Sequence, residues 1–195
     1  MLRNRIDRDN DDQYSMSGCT GFFALVGITL LGGLLIAGLL LLPGHQGVQV
    51  SFAEQTCYLD RDKFELKWLH SVEKQWWVES YQAKSDNLLL TDTYLQTFGA
   101  GTPSTEKALK NTRPEYEDYV HYQINTTLTH LDWMVSSNIQ ASLIIPNDGS
   151  ATTTQGQPLP VYQWVDDYTN IHIAPQKISL WTRLTQEPCH EHLAR

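Results

Sequence analysis

The chain has 195 residues and carries 14 Lys and Arg against 22 Asp and Glu, a formal net charge of −8. Such an acid excess repels phosphate backbones and anionic lipid headgroups, which argues against nucleic acid as a partner. The length suffices for one self-supporting core with a short segment to spare.

In chain order, residues 1–21 hold Arg3, Arg5 and Arg8, and Phe22–Leu42 then form an apolar run without a charged residue. At 1.5 Å per residue the run spans roughly 30 Å, the thickness of a hydrocarbon core, and predicts a transmembrane helix. Gly27, Gly32 and Gly33 would weaken a helix in water but are tolerated in lipid. Gly33 and Ala37 stand at a small-xxx-small spacing that leaves helix pairing open. The next basic residue after the run is Arg61. The positive-inside bias therefore predicts a cytoplasmic tail over 1–21 and an exported domain over 44–195. A cleaved signal peptide would need a shorter apolar stretch and a small-x-small site, and Leu41-Leu42-Pro43-Gly44-His45 offers none.

From residue 44 onward the chain reads as β structure. Val48–Phe52 and Lys63–Leu69 alternate apolar and polar residues, Trp76–Tyr81 follows as a second hairpin arm, and Ser71–Gln75 connects the two. Leu88–Leu95, Tyr119–Ile124, Leu131–Val135, Ser142–Ile145 and Ile178–Trp181 complete the predicted strands. One short helical turn is expected at Thr105–Lys110 and an exposed loop over Asn147–Pro160. No window sustains a 3.6-residue period. The expected fold class is mainly β: one membrane helix followed by an antiparallel β-sandwich or barrel-like domain.

Cys57 and Cys189 flank the domain, and export to an oxidising compartment makes a disulfide between them the favoured state over two free thiols. Cys189-His190-Glu191-His192 has metal-capable side chains, but a structural site normally needs four ligands and a disulfide would remove Cys189. No cofactor or metal is expected.

The densest cluster of functional residue types is Trp68-Leu69-His70-Ser71-Val72-Glu73, followed by Trp76-Trp77-Val78-Glu79. His70 and Ser71 are adjacent, so on a strand they point apart and make a poor base–nucleophile pair. The hairpin is expected to bring His70 near Glu79 across the strands. Phe98-Gly99-Ala100-Gly101-Thr102-Pro103 reads as a tight turn; it lacks the Lys-Ser/Thr pair of a phosphate-binding loop. His70, Ser71, Glu73, Glu79, Gly99, Ala100 and Gly101 are thus expected to gather in one ligand-binding site or structural clasp, with no catalytic residue assigned.

Phe64-x-Leu66-x-Trp68-x-His70-Ser71-Val72-Glu73, then Trp77-Val78-Glu79-x-Tyr81, Leu88-x-Leu90 and Phe98-Gly99-Ala100-Gly101-x-Pro103 resemble the DUF1850 family over about residues 47–145. The resemblance implies a bacterial or archaeal protein whose gene stands beside TAXI-type TRAP transporters. It therefore implies a non-enzymatic accessory of solute uptake in the bacterial inner membrane. Its partners would be the integral membrane subunits or the solute-binding protein of such a transporter. An independent periplasmic ligand-binding module is the alternative; a hydrolase using His70, Ser71 and Glu79 has only residue types in its favour.

Overall fold

The computed structural model describes residues 17–40, 42, 44–146, 156 and 158–194. The chain divides into two compact units, residues 1–40 and 41–195.

In the first unit Ser17–Leu40 form helix α1, with no acid in its first turn and no base in its last. The side chains described in it begin at Val26, and Ile28, Leu30, Leu34, Leu35 and Ile36 are all exposed. Among the described residues no helix is long and apolar enough to cross a membrane. Residues 26–40 taken alone rise only about 22 Å. Most of the expected cytoplasmic tail, residues 1–16, lies outside the described residues.

The second unit is mainly β, built from antiparallel sheets. Its strands are β1 (His45–Phe52), β2 (Gln55–Leu59), β3 (Lys63–Leu69), β4 (Trp76–Ala83), β5 (Leu88–Leu95) and β6 (Ala108–Leu109). After these come β7 (Val120–Leu128), β8 (Leu131–Val135), β9 (Ser142–Ile144), β10 (Pro158–Leu159), β11 (Thr169–Ile178) and β12 (Glu187–Pro188). One sheet has the order β12-β2-β1-β11-β8 and the other β10-β9-β3-β4-β5-β7-β6. Every pairing is antiparallel except that of β12 with β2. The main core draws Val48, Val50, Leu59, Ile171 and Ile173 from the first sheet and Phe64, Leu66, Tyr81, Leu88 and Leu143 from the second. The two sheets therefore pack face to face and bury one side of each, which is how alternating strands remove apolar surface from water.

The alternation in β3 places Phe64, Leu66 and Trp68 on this inner face, opposite Tyr81, Glu79 and Trp77 of β4. Two irregularities turn the faces of the second sheet, one between Ser80 and Tyr81 and one around Thr91, whose hydroxyl donates to the Ser80 carbonyl at 3.1 Å. Such bulges re-aim side chains without ending the ladder.

Three expectations fail. Ile178–Trp181 is not a strand: Ile178 ends β11, and Leu180–Thr185 form helix α2. Ser179 caps that helix through a reciprocal pairing with Thr182, and this local hydrogen bonding outweighs the β-branched and aromatic composition of the segment. Thr105–Lys110 holds no helical turn; Ala108–Leu109 pair with β7 instead, and the short 3-10 turn falls later, at Pro114–Tyr116. The expected loop at Asn147–Pro160 is shortened by β10, while residues 147–155 and 157 lie outside the described residues.

Candidate binding site

The connection between β3 and β4 is a tight turn. The His70 N–H donates to the Gln75 carbonyl at 2.8 Å and the Lys74 N–H to the His70 carbonyl at 3.0 Å. Lys74 takes φ +54° to close it. The turn swings Glu73 back over its own start, where its carboxylate forms an ion pair with His70 Nδ1. The other carboxylate oxygen accepts from the Ala100 N–H at 2.8 Å. That hydrogen bond, with the His70 charge adding to it, holds the Glu73 carboxyl below its usual range.

In the Gly99-Ala100-Gly101 turn both glycines face close neighbours, and Gly101 has the backbone conformation that favours glycine. A Cβ on Gly99 would sit 2.9 Å from the Glu73 carboxyl group. Gly101 has φ +87° and faces the Trp77 ring, which a Cβ would approach to 3.3 Å. The Gly99 N–H donates to the Thr102 hydroxyl at 2.8 Å and fixes the turn. His70 stacks on Trp77 with ring centroids 5.0 Å apart. Trp77 meets Trp68 at 5.9 Å, and Trp68 meets Trp133 of β8 at 6.1 Å. The result is a charged clasp between two turns, resting on a floor of indole rings contributed by both sheets. Its side chains remain partly open, 19% for His70 and 24% for Glu73. Such a site offers a fixed carboxylate, an imidazole and flat apolar rings, the elements that orient a small polar ligand.

Glu79 is not part of this clasp. It lies opposite Leu66 and Thr93 within the inner face and accepts from the Tyr81 hydroxyl at 2.6 Å. Burial raises its carboxyl pKa, and the Tyr81 hydrogen bond offsets part of that rise. The register explains the difference from expectation. Trp77 opposes Trp68, so the residue that reaches His70 comes from the turn and not from the partner strand. Ser71 is exposed, and the carboxylate paired with His70 is Glu73. Cys57 and Cys189 are fully buried and joined by a disulfide with Cα atoms 4.9 Å apart. Cys189 therefore cannot ligate a metal at the tail.

A second constellation carries no local sequence signal. On the outer face of β3, Glu65 is 2% exposed. Its carboxylate accepts from Ser80 Oγ at 2.9 Å, from the Tyr116 hydroxyl at 2.7 Å and from the Arg113 guanidinium, which also pairs with Glu115. Arg113 lies over the Tyr94 and Tyr116 rings, 5.3 and 4.7 Å from their centroids. Burial and the Glu65 charge push the Tyr116 hydroxyl pKa up. Beside it His121 stacks on Tyr94 at 4.6 Å and meets Asp92 at 2.7 Å. A cavity of about 360 Å³ opens between these groups. Because Glu65 spends its acceptors on donors of the domain itself, the cluster reads as a latch holding the 99–118 connection against the sheet. A depression of about 600 Å³ beside Gln55, Trp164 and Glu187 contains none of the expected site residues.

No curated protein and no solved structure matches the chain. Residues 64–150 match the family model described as "Domain of unknown function (DUF1850)". The match begins at β3 and includes both turns of the clasp, though it starts and ends later than the 47–145 span read from the motifs. Over residues 64–150 the chain is similar to the DUF1850 family, and the match supports the resemblance read from the motifs.

Proposed function

We propose that the protein is a non-enzymatic, membrane-anchored accessory of a TAXI-type TRAP solute uptake system. Residues 22–42 serve as its single membrane span, with the N-terminus in the cytoplasm and the β domain in the periplasm. The observation that carries the reading is the His70–Glu73–Ala100 clasp on its indole floor, a site arranged to hold a ligand or partner group. His70 is paired with a carboxylate and stacked on Trp77, while Ser71 points to solvent, an arrangement that favours binding over nucleophilic attack. The apolar surface of α1 supports the anchor, because a helix apolar all round needs lipid or protein around it. The exposed Leu180, Trp181 and Leu184 of α2 support it as well. They follow Ile178, which pairs with His45 at the point where the chain enters the domain, and exposed Trp and Leu suit a membrane interface.

Extraction in mild detergent should bring the integral membrane subunits or the solute-binding protein of a transporter with the chain. Recovery of the chain alone, with solute uptake unchanged by its deletion, would overturn the proposal. The His70→Ala variant separates the roles of the clasp. A binding role predicts lost uptake with the melting temperature nearly unchanged; a lowered melting temperature with intact uptake assigns the clasp to structure.

A further inference from the structure

Away from the clasp, on the outer face of the first sheet, three side chains with metal-ligand chemistry converge. Asp132 of β8 and His172 of β11 are directly paired residues across an antiparallel ladder, so their side chains leave the same face of the sheet. His130 stands just before β8 begins, and its ring turns to the same side, beside that of His172. Ile171 and Ile173, on either side of His172, are fully buried. His172 itself is consequently held outward by a core it cannot leave. His172 Nδ1 is 2.8 Å from Asp132 Oδ1, and His130 Nε2 is 3.4 Å from Asp132 Oδ2. One ligand atom from each of the three lies within 4.8 Å of the other two. The two imidazole rings are 4.9 Å apart, centroid to centroid.

These separations fit a single small cation. Ligands about 2.0–2.2 Å from a tetrahedral zinc stand roughly 3.3 Å from each other. The 3.4 Å edge between His130 Nε2 and Asp132 Oδ2 already lies near that value, and the other two close by rotation of side chains that are all exposed. The supporting contacts also suit coordination. Thr129 Oγ1 lies 3.0 Å from His130 Nδ1, so a proton held there leaves Nε2 free to ligate. Asn170, two residues before His172 on the same strand, hydrogen-bonds the Asp132 carboxylate.

We propose that His130, Asp132 and His172 form a binding site for one borderline divalent cation such as Zn²⁺, with His130 Nε2, His172 Nδ1 and an Asp132 oxygen as ligands. Two imidazoles and one carboxylate match the preference of zinc, nickel and copper over magnesium or calcium. Coordination takes the place of the hydrogen bond between His172 and Asp132. Nδ1 gives up its proton, to solvent or by tautomer exchange to the ring's own Nε2. Three protein ligands leave at least one position for water or an incoming donor group. The site lies within the exported domain and stands independently of the proposed transport role.

Full-length protein in detergent, stripped with chelator, is titrated with ZnCl₂ by calorimetry and with CoCl₂ by visible absorbance. One equivalent of each should bind saturably, and Co²⁺ should develop d–d bands. His172→Ala and Asp132→Ala should each weaken Zn²⁺ binding at least about tenfold. Both side chains are close to half exposed, so thermal melts should match the parent and separate ligand loss from misfolding. A His190→Ala/His192→Ala tail variant should bind as the parent does. The proposal is overturned by the absence of saturable binding, by less than a tenfold effect of either ligand variant, or by loss of binding in the tail variant.

Discussion

The disulfide between Cys57 and Cys189 closes a covalent loop with a sequence separation of 132. In the chain-entropy account, a loop that long removes about 16–17 cal/mol/K from the unfolded ensemble, or about 5 kcal/mol of stability at 25 °C. A domain of about 150 residues unfolds with an entropy of roughly 0.3 kcal/mol/K, so reduction should lower its melting temperature by about 15 °C. Both sulfurs are fully buried at the junction of β2 and the C-terminal turn. Reduction of the parent protein is therefore a cleaner perturbation than alanine substitution, which adds small voids. The assay is thermal and urea unfolding of the full chain followed by near-UV dichroism, oxidised and reduced, with free thiols counted in denaturant. Because the cross-link acts on the unfolded chain, the urea m value should also rise on reduction as the unfolded state expands. A reduced protein with both thiols free that melts within about 3 °C of the oxidised form refutes the entropic reasoning. So would an unchanged m value.

Two further outcomes follow from the buried carboxylates. Burial lifts the Glu79 carboxyl above its ordinary 4.5, so the folded state keeps that proton to higher pH than the unfolded chain does. The stability it lends is complete below the unfolded value and is lost as pH rises through the folded one. Glu79→Gln keeps an acceptor for Tyr81 and removes the titration. Its melting temperature relative to the parent should therefore climb by a few °C between pH 4 and pH 8; a flat or falling difference contradicts the burial argument. Arg113→Ala strips the guanidinium from a Glu65 side chain that is 3% exposed and should cost about 3 kcal/mol in urea unfolding. Adding Glu65→Gln should recover part of that loss, whereas strict additivity of the two changes would show that the pair is not coupled.

Three strands have the boundaries read from the sequence, Lys63–Leu69, Leu88–Leu95 and Leu131–Val135. Alternation marks the first and the third, whereas Leu88–Leu95 opens on three leucines and carries the bulge at Thr91. β11 was not legible as a whole: Ile171 and Ile173 alternate, but Ala174 and Pro175 interrupt the pattern. Beyond Ile173 only β1 still pairs with it, and a one-sided edge is where a proline is tolerated in a sheet. β2 leaves little signal in the sequence because it is short and follows a two-residue turn in which Ala53 takes φ +48°. At the site, the nearness of the His70 turn to the glycine turn could be read from strand succession, since β4 and β5 are neighbours. The joining residue could not, because Glu73 reaches Ala100 only through the backbone path of the turn. Glu65 and Arg113 stand 48 residues apart and on no common motif, and His130 and His172 meet only through the β8–β11 register.

The placement of the disulfide also determines how the domain answers a pull. A chain held at Gly44 and drawn from Ala194 transmits tension through Cys189 directly to Cys57. Residues 58–188 then carry no load, because they sit inside the closed loop. Only residues 44–57 and the short stretch after Cys189 can be drawn out in series. At about 3.5 Å per residue the N-terminal part yields roughly 45 Å, against about 500 Å for an uncrosslinked domain of this length. β3 through β9, with the clasp and the Glu65 latch, cannot be drawn out in line with the pull, and reduction of a single bond removes that limit.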